Sequence, residues 1–119
     1  MEELTRTEER IMQVIWDLKK AFVKDIIEHL DEDPKPPYTT VSSVVRILET
    51  KGFVSHIAYG KTHEYFAVIS KNEYRKNHFG GMVKDYFDGK ASNVLSFMLR
   101  EKKLSKKELQ DLRKFIDGQ

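Results

Sequence analysis

Residues 38–54 constrain the fold of this 119-residue chain more than any other stretch. Their apolar side chains recur at the i, i+3, i+4, i+7 spacing of a helix with one buried stripe: Val41, Val44, Val45 and Leu48. Three prolines within residues 34–37 precede the stretch, and Gly52 follows it as a typical helix stop. The pattern predicts an amphipathic helix over residues 39–51, held between a loop and a glycine.

The polar face of this helix carries short hydroxyl side chains and one guanidinium. Its members are Thr39, Thr40, Ser42, Ser43 and Arg46. A helix face that meets only water usually carries Glu and Lys. Short donors and acceptors beside an Arg are typical of a helix that enters the major groove of DNA and contacts base edges and phosphates. The alternative is an ordinary solvated face with Thr39 as the helix cap.

The flanking patterns complete a winged helix-turn-helix domain. Thr5-x-x-Glu8 has the form of a capping box and opens a first helix over residues 6–19. Residues 22–30 predict a short second helix, and the β-rich runs 53–59 and 62–69 predict a hairpin that turns around Gly60. Three short helices followed by a hairpin is the winged-helix order, in which the hairpin forms the wing.

Charge is unevenly distributed along the chain. The net charge is +2 overall, −3 over residues 1–69 and +3 over residues 35–63. A broad basic surface for DNA is therefore not expected, and attraction to phosphates must be local. The expected phosphate contacts are Lys51 and, at the wing tip, Lys61. The acidic balance of the first half also leaves open a second interpretation, a winged helix that binds other proteins.

Residues 71–119 are predicted to form a separate helical domain after a DNA-binding domain over residues 1–70. Its three helices, the last opened by a second capping box at Ser105-x-x-Glu108, carry more apolar surface than fifty residues bury alone. A homodimer with interlocked C-terminal helices would cover this surface. The expected dimerisation residues are Phe79, Met82, Val83, Tyr86, Phe87, Val94, Leu95, Phe97, Met98, Leu112, Phe115 and Ile116.

The aromatic cluster of this second domain has an alternative use. Phe79, Met82, Tyr86 and Phe97 could line a pocket for a small ligand, which would make the chain a ligand-responsive regulator. Packing is the preferred interpretation, because an apolar stripe on a helix usually buries against another helix.

No pattern in the sequence indicates an enzyme. A glycine-rich phosphate loop, a nucleophile elbow and paired catalytic carboxylates are all missing, and a chain without Cys has no thiolate ligand for a metal. No metal or cofactor is expected, and His56 and His63 are predicted to form a cross-strand surface pair. No apolar run approaches the ~20 residues that span a bilayer, and the first residues lack a signal-peptide pattern, so we expect a cytoplasmic protein.

Short motifs in a fixed order over nearly the whole chain carry a family resemblance. They are Leu4-Thr-x-x-Glu8, Ile11-Met-x-Val-Ile-Trp16, Val23-Lys-x-Ile-Ile27, Tyr38-Thr-Thr-Val-x-Ser-Val-x-Arg-x-Leu-Glu-x-Lys-Gly-Phe-Val54, Gly60-Lys-x-x-x-Tyr65, Phe87-Asp-Gly89 and Leu104-Ser-x-x-Glu-Leu109. On these motifs the sequence resembles the penicillinase-repressor family, the BlaI/MecI/CopY type of transcriptional regulator. The central motif is the most specific of them.

The resemblance implies a homodimeric winged-helix repressor that binds double-stranded operators with dyad symmetry, upstream of β-lactam-resistance or stress genes. It also implies a membrane sensor protease as a partner, which relieves repression by cutting the C-terminal dimerisation region. The matching bond here is Ser96-Phe97, where penicillinase repressors commonly have Asn-Phe. The chain lacks the Cys cluster of the copper-responsive branch. It also carries Ile47 where members often have Arg, which predicts weaker binding or an altered operator.

Overall fold

The computed structural model of the chain describes residues 2–101, 103 and 105–117, without the side chains of residues 112, 113 and 115–117. As predicted, the fold is mainly helical with a small antiparallel sheet. The elements in chain order are α1 (Arg6–Leu18), β1 (Lys20–Phe22), α2 (Val23–His29), α3 (Tyr38–Thr50), β2 (Val54–Tyr59), β3 (Thr62–Ala67), α4 (Lys71–Tyr86), α5 (Ala91–Arg100) and α6 (Lys106–Asp117). The chain divides into two compact units, residues 1–77 and 78–119, so α4 contributes residues to both.

Both predicted capping boxes are present. At the start of α1, the Thr5 hydroxyl accepts from the Glu8 amide at 3.2 Å, and the Thr5 amide donates to Glu8 Oε1 at 2.8 Å. At the start of α6, Ser105 and Glu108 make the same two contacts at 3.1 and 3.2 Å. Each box satisfies amides that the first turn of a helix cannot pair internally, which fixes where these helices begin.

α3 begins directly after the Pro-rich loop and ends at the predicted glycine. Gly52 adopts a φ of +84°, which a side chain would strain. Its amide donates to the Glu49 carbonyl at 3.0 Å, and the Phe53 amide donates to the Leu48 carbonyl at 2.9 Å. These two bonds close the carboxyl end of α3 and direct the chain into the hairpin.

The hairpin forms as predicted, but the sheet has a third strand that the sequence analysis missed. β2 pairs with β3 from Val54↔Ala67 to Tyr59↔Thr62, with Gly60 in the turn at a φ of +64°. β1 pairs with the other edge of β3, with Ala21 opposite Tyr65, which gives the strand order β1-β3-β2. A strand of three residues between two helices is too short to show a period of two in the sequence.

The core of the first unit lies between the three short helices and the sheet. Its largest fully buried side chains are Ile11, Met12, Ile15, Ile26, Val41, Val45, Leu48 and Phe53. The predicted α3 stripe is therefore buried, with Val44 packed partly against it. Each such side chain stabilises the fold by roughly 1.5–3 kcal/mol, so this packing holds α3 firmly in place.

The first turn of α4 packs into this same core through Tyr74. The Tyr74 ring lies 5.7 Å from Trp16 and 5.8 Å from Phe53, and its hydroxyl donates to Glu9 Oε1 at 3.1 Å. Trp16 in turn donates from Nε1 to the Ile69 carbonyl at 2.9 Å. The core of the first unit therefore extends past residue 70, into the segment that the sequence analysis placed in the second domain.

The second unit leaves most of its apolar side chains accessible. Among the described side chains of residues 78–119, only Val94 is buried. Phe87 packs edge-on against Phe97 at 5.6 Å, and the Asn93 amide donates to the Phe87 carbonyl at 3.1 Å. Phe97 and Leu99 remain exposed on α5, in agreement with the expectation that this segment carries more apolar surface than a single chain buries. None of the helices in the described part of the chain is long and apolar enough to cross a membrane.

Candidate nucleic-acid interface

The face of α3 opposite its buried stripe presents the predicted hydroxyl and guanidinium groups to solvent. Thr39, Thr40, Ser43 and Arg46 are exposed, and Ser42 is half-buried on one flank. The cap of α3 is Pro37, so Thr39 lies inside the helix and does not act as its cap. A rigid helix thus displays small polar side chains on a surface that no described residue covers.

Two hydroxyls on this face are already oriented by the helix. Ser43 donates from Oγ to the Thr39 carbonyl at 2.9 Å, and Thr50 donates from Oγ1 to the Arg46 carbonyl at 3.1 Å. A hydroxyl has a single hydrogen, so these two groups offer only acceptor lone pairs outward. If a base edge lies against this face, these two hydroxyl oxygens would therefore accept a hydrogen bond from an amino group of the base.

Arg46 is exposed beside the wing. It forms no ion pair with any described residue, which leaves its five donors available. The charge of Arg46 also affects the pKa of Tyr65, a buried residue of β3. Burial raises the pKa of Tyr65, the Glu49 carboxylate raises it further, and Arg46 opposes the rise. Arg46 is therefore a fixed positive charge at the junction of α3 and the sheet.

Lys51 is placed differently from the sequence-based expectation of a phosphate contact. Its Nζ lies 2.8 Å from Oε1 and 3.1 Å from Oε2 of Glu8, a residue that is only 4% exposed. Burial raises the pKa of Glu8, but the hydrogen bonds from Lys51 and Thr5 and the charge of Lys51 outweigh it, so the pKa is lowered overall. The pair joins the end of α3 to the start of α1.

Besides Arg46 and Lys51, residues 35–63 contain two further lysines, Lys35 and Lys61. Lys35 donates from Nζ to the carbonyls of Glu28 and Leu30, where α2 ends. Lys61 is exposed at the tip of the wing and, within the described part of the chain, makes no ion pair. Lys51 is paired with Glu8, and Lys35 donates to backbone carbonyls. Arg46 and Lys61 are therefore the cations of this segment that remain available to a phosphate backbone.

A histidine pair links α3 to the wing. His56 Nδ1 lies 2.7 Å from Glu49 Oε2, and the His56 and His63 rings stack at 4.0 Å with an interplanar angle of 8°. The predicted cross-strand approach of the two histidines is confirmed, whereas the contact with Glu49 was not predicted. Among the described residues, no three His, Cys, Asp or Glu side chains gather where they could hold a metal ion.

The predicted dimerisation residues differ in accessibility. Phe79, Met82, Tyr86 and Phe97 are exposed; Val83, Phe87, Leu95 and Met98 are half-buried; and Val94 is buried. Leu99, which the prediction omitted, is also exposed. The side chains of Leu112, Phe115 and Ile116 lie outside the described residues. Among the described side chains, the exposed apolar surface of the second unit thus lies on α4 and α5.

A cavity of about 260 Å³ lies within the second unit. Its lining includes Tyr86 and Phe97 of the predicted ligand pocket, together with Asp88, Ser96 and Arg100. Phe79 and Met82 are not part of this lining. The cavity therefore takes in both residues of the predicted cleavage bond, Ser96 and Phe97.

Three short helices, a wing and an outward face of hydroxyls and Arg on the third helix define a winged-helix protein. The family profile described as "Penicillinase repressor" matches residues 4–118, so the chain belongs to the penicillinase repressor family of transcriptional repressors. Over 116 residues it is 27% identical to "Methicillin resistance regulatory protein MecI" of Staphylococcus aureus (strain N315), covering 97% of this chain and 94% of that protein. The protein of the same name from Mammaliicoccus sciuri has the same identity and coverage. An "Uncharacterized 16.5 kDa protein in ptsI 3'region" of Latilactobacillus sakei is 21% identical over 114 residues, which cover 96% of this chain and 78% of that protein.

Proposed function

We propose that this protein is a sequence-specific repressor that binds double-stranded DNA as a homodimer, on an operator with dyad symmetry. The observation that carries the proposal is the outward face of α3, where Thr39, Thr40, Ser43 and Arg46 are exposed on a helix anchored by a buried apolar stripe. A helix at this place in a winged helix enters the major groove. Membership of a repressor family supports the same conclusion.

Each side chain has a separate role in this proposal. Arg46 donates to a base edge or to a neighbouring phosphate, and Lys61 at the wing tip contacts the backbone. Thr39, Thr40 and Ser43 make the remaining contacts with phosphates and thymine methyl groups, and Ser42 lies on the flank of the same face. Lys51 is left out, because its ammonium is held by Glu8. Its role here is to fix the carboxyl end of α3 against α1.

The dimer rests on the exposed apolar side chains of the second unit. Phe79 is 51% exposed on α4, and Phe97 is 44% exposed on α5. A second copy of the chain would bury these rings, and a symmetric pair would bring two α3 helices to half-sites about one helical turn apart. Dyad symmetry of the operator follows from the symmetry of the protein.

Binding should be measured against a palindromic duplex, selected from a random pool, and against a scrambled duplex of the same composition. We expect tighter binding to the palindrome, by roughly 10³-fold or more at physiological salt, and an affinity that falls with salt on both duplexes. Equal affinity for the two duplexes would contradict the proposal. It would favour the alternative in which the domain binds proteins, and pull-downs in the presence of nuclease would then test that alternative.

Two variants separate base reading from phosphate contact. Arg46→Ala should cost about 1–3 kcal/mol and relax the preference at one base position if Arg46 reads a base. Lys61→Ala removes one phosphate contact from each protomer of the dimer, so it should weaken binding to all sequences and lower the slope of log affinity against log salt by about 2. Lys84→Ala, an exposed Lys in the second unit, is the matched control and should change neither quantity.

We further propose that the protein acts in the cytoplasm on resistance or stress genes, and that a membrane sensor protease inactivates it. The name of the staphylococcal relatives supports the first part. For the second part, Ser96 and Phe97 are both exposed, although they lie within the helix α5. Mass spectrometry of the chain from cells treated with a β-lactam should detect a fragment that ends at Ser96. A chain that stays intact while the regulated genes are induced would contradict this part alone.

A further inference from the structure

We infer that Ile47 recognises a thymine methyl group in each half-site, in a base pair adjacent to the one that Arg46 contacts. This inference rests on the proposed function, because it requires that α3 lies in the major groove. It assigns a specificity-determining role to a side chain that has no polar atom.

The position of Ile47 on α3 is the starting observation. The side chain is 46% exposed, although α3 buries its apolar stripe on the opposite side. Ile47 follows Arg46 directly and lies one turn after Ser43, on the flank that Thr40 also occupies two turns earlier. A single exposed Ile is ordinary on a protein surface. Here it lies on the only exposed face of α3, where its neighbours are hydroxyls and a guanidinium.

The chemistry of the major groove then selects the partner. Thymine alone among the four bases presents a methyl group there, and an apolar side chain distinguishes it by contact. Ile neither donates nor accepts a hydrogen bond. If the Ile47 side chain lay against guanine or cytosine, it would remove the donors and acceptors of that base from water without forming hydrogen bonds to them. A thymine facing Ile47 is the arrangement that avoids this penalty.

Ser43, on the preceding turn, is compatible with the same assignment. Its hydroxyl hydrogen is bonded to the Thr39 carbonyl at 2.9 Å, so its oxygen can only accept. The adenine N6 and cytosine N4 amino groups are both donors in the major groove, so Ser43 is compatible with either base and the methyl contact of Ile47 selects thymine. A face that places an acceptor one turn from the sec-butyl group of Ile47 can therefore pair an amino group at one base pair while Ile47 contacts the methyl group of a neighbouring thymine.

The test replaces single thymines by deoxyuridine in the selected palindrome, which removes only the methyl group. At one thymine per half-site we expect affinity to fall about fourfold, the equivalent of the ~0.8 kcal/mol assigned to one buried carbon, and about fifteenfold when both half-sites carry the change. Ile47→Ala changes both protomers, so it should bind the unmodified duplex about fifteenfold more weakly and lose the sensitivity at that thymine. Val68→Ala, which trims another exposed β-branched residue outside α3, is the control and should keep the full sensitivity.

The outcomes separate the inference from the proposed function. Specific binding of the palindrome with no thymine whose methyl group matters, or an Ile47→Ala variant that keeps the wild-type sensitivity at every responsive thymine, would overturn the inference and leave the sequence-specific binding of the proposed function standing. Equal binding of palindrome and scrambled duplex would overturn both. Since Ile47 is on the surface, Ile47→Ala should melt within a few degrees of the wild type, so a loss of affinity would not reflect unfolding.

Discussion

The pair between Lys51 and Glu8 allows the sharpest test of how this domain is built. Lys51→Met removes the ammonium and keeps most of the aliphatic stem. It leaves the carboxylate of Glu8, a residue that is only 4% exposed, without its cationic partner. The sequence suggested a phosphate contact at this position, whereas the structure places Nζ 2.8 Å from a carboxylate oxygen. The two roles predict opposite results for stability and for DNA binding.

The magnitude follows from the burial of the two groups. Removing one member of a fully buried ion pair is destabilising by about 3–5 kcal/mol. The Lys51 side chain is 21% exposed, so water screens part of the interaction, and the Thr5 amide still donates to Glu8 Oε1 at 2.8 Å. We therefore expect Lys51→Met to lower the free energy of unfolding by about 2 kcal/mol. In a folded unit of this size that loss lowers Tm by roughly 8–16 °C.

The assay is a double-mutant cycle read by urea and thermal unfolding. It compares the wild type, Lys51→Met, Glu8→Gln and the double variant, with Lys24→Met, an exposed Lys on α2, as the control. The two single changes should each destabilise, and the double variant should lose less than their sum, with a coupling of about 1 kcal/mol or more. Lys24→Met should melt close to the wild type.

One pattern would refute this reasoning. If Lys51→Met melts with the wild type while the slope of log affinity for DNA against log salt falls by about 2, which is one contact per protomer, Lys51 contacts a phosphate. The pair with Glu8 would then contribute nothing measurable to stability.

Three further results are expected. Because the folded pKa of Glu8 lies below its ordinary value of 4.5, its contribution to stability is complete above about pH 4.5 and is lost as pH falls through the folded pKa, so Glu8→Gln should flatten the acid limb of a plot of Tm against pH. Burial and the hydrogen bond to Glu9 raise the pKa of Tyr74 to about 12, so its contribution is complete below pH 10 and lost as pH rises toward 12. Tyr74→Phe should cost about 1 kcal/mol at neutral pH and reduce this alkaline loss, as followed by circular dichroism. If the proposed dimer forms through α5, Phe97→Asp should sediment as a monomer at micromolar concentration where the wild type sediments as a dimer, because a carboxylate would be buried at the interface.

A different outcome would contradict each of these three expectations. An acid limb in Glu8→Gln identical to that of the wild type would mean that other carboxylates govern acid unfolding. A Tyr74→Phe variant with unchanged stability at both neutral and alkaline pH would mean that the bond to Glu9 is not formed in solution. A wild type that already sediments as a monomer would contradict the proposed dimer, and a Phe97→Asp variant that stays dimeric would contradict an interface on α5.

The sequence predicted the elements of the first unit because local signals there agree with tertiary packing. The Thr5 to Glu8 capping box, the α3 stripe and Gly52 each specify a boundary within a few residues of chain. The strand β1 was missed because its existence depends on pairing with β3, more than forty residues later. Such a pairing leaves no periodic trace in three residues.

The candidate site was predictable in its residue types but not in its pairings. Helical spacing alone places Thr39, Ser43 and Arg46 opposite the buried stripe, and the structure has them exposed there. The partner of Lys51 could not be read from the sequence, because Glu8 lies 43 positions away and the two meet only when α1 packs on α3. One signal in the sequence is the helical spacing of Glu8 with Ile11 and Ile15, which places its carboxylate on the apolar side of α1, where a buried carboxylate needs a cation.

The contact of Tyr74 with Trp16 and Phe53 determines what a cut protein would retain. Cleavage at the Ser96-Phe97 bond would leave residues 1–77 whole, including the tyrosine that completes their core. The product would then be a folded headpiece with α3 intact, and its loss of repression would come from lost avidity, which linkage of two heads can raise by about 10²–10⁴-fold. Cleaved headpieces would still occupy half-sites weakly and compete with newly made dimers. The recovery of repression after the signal ends would then depend on how fast the cell degrades them.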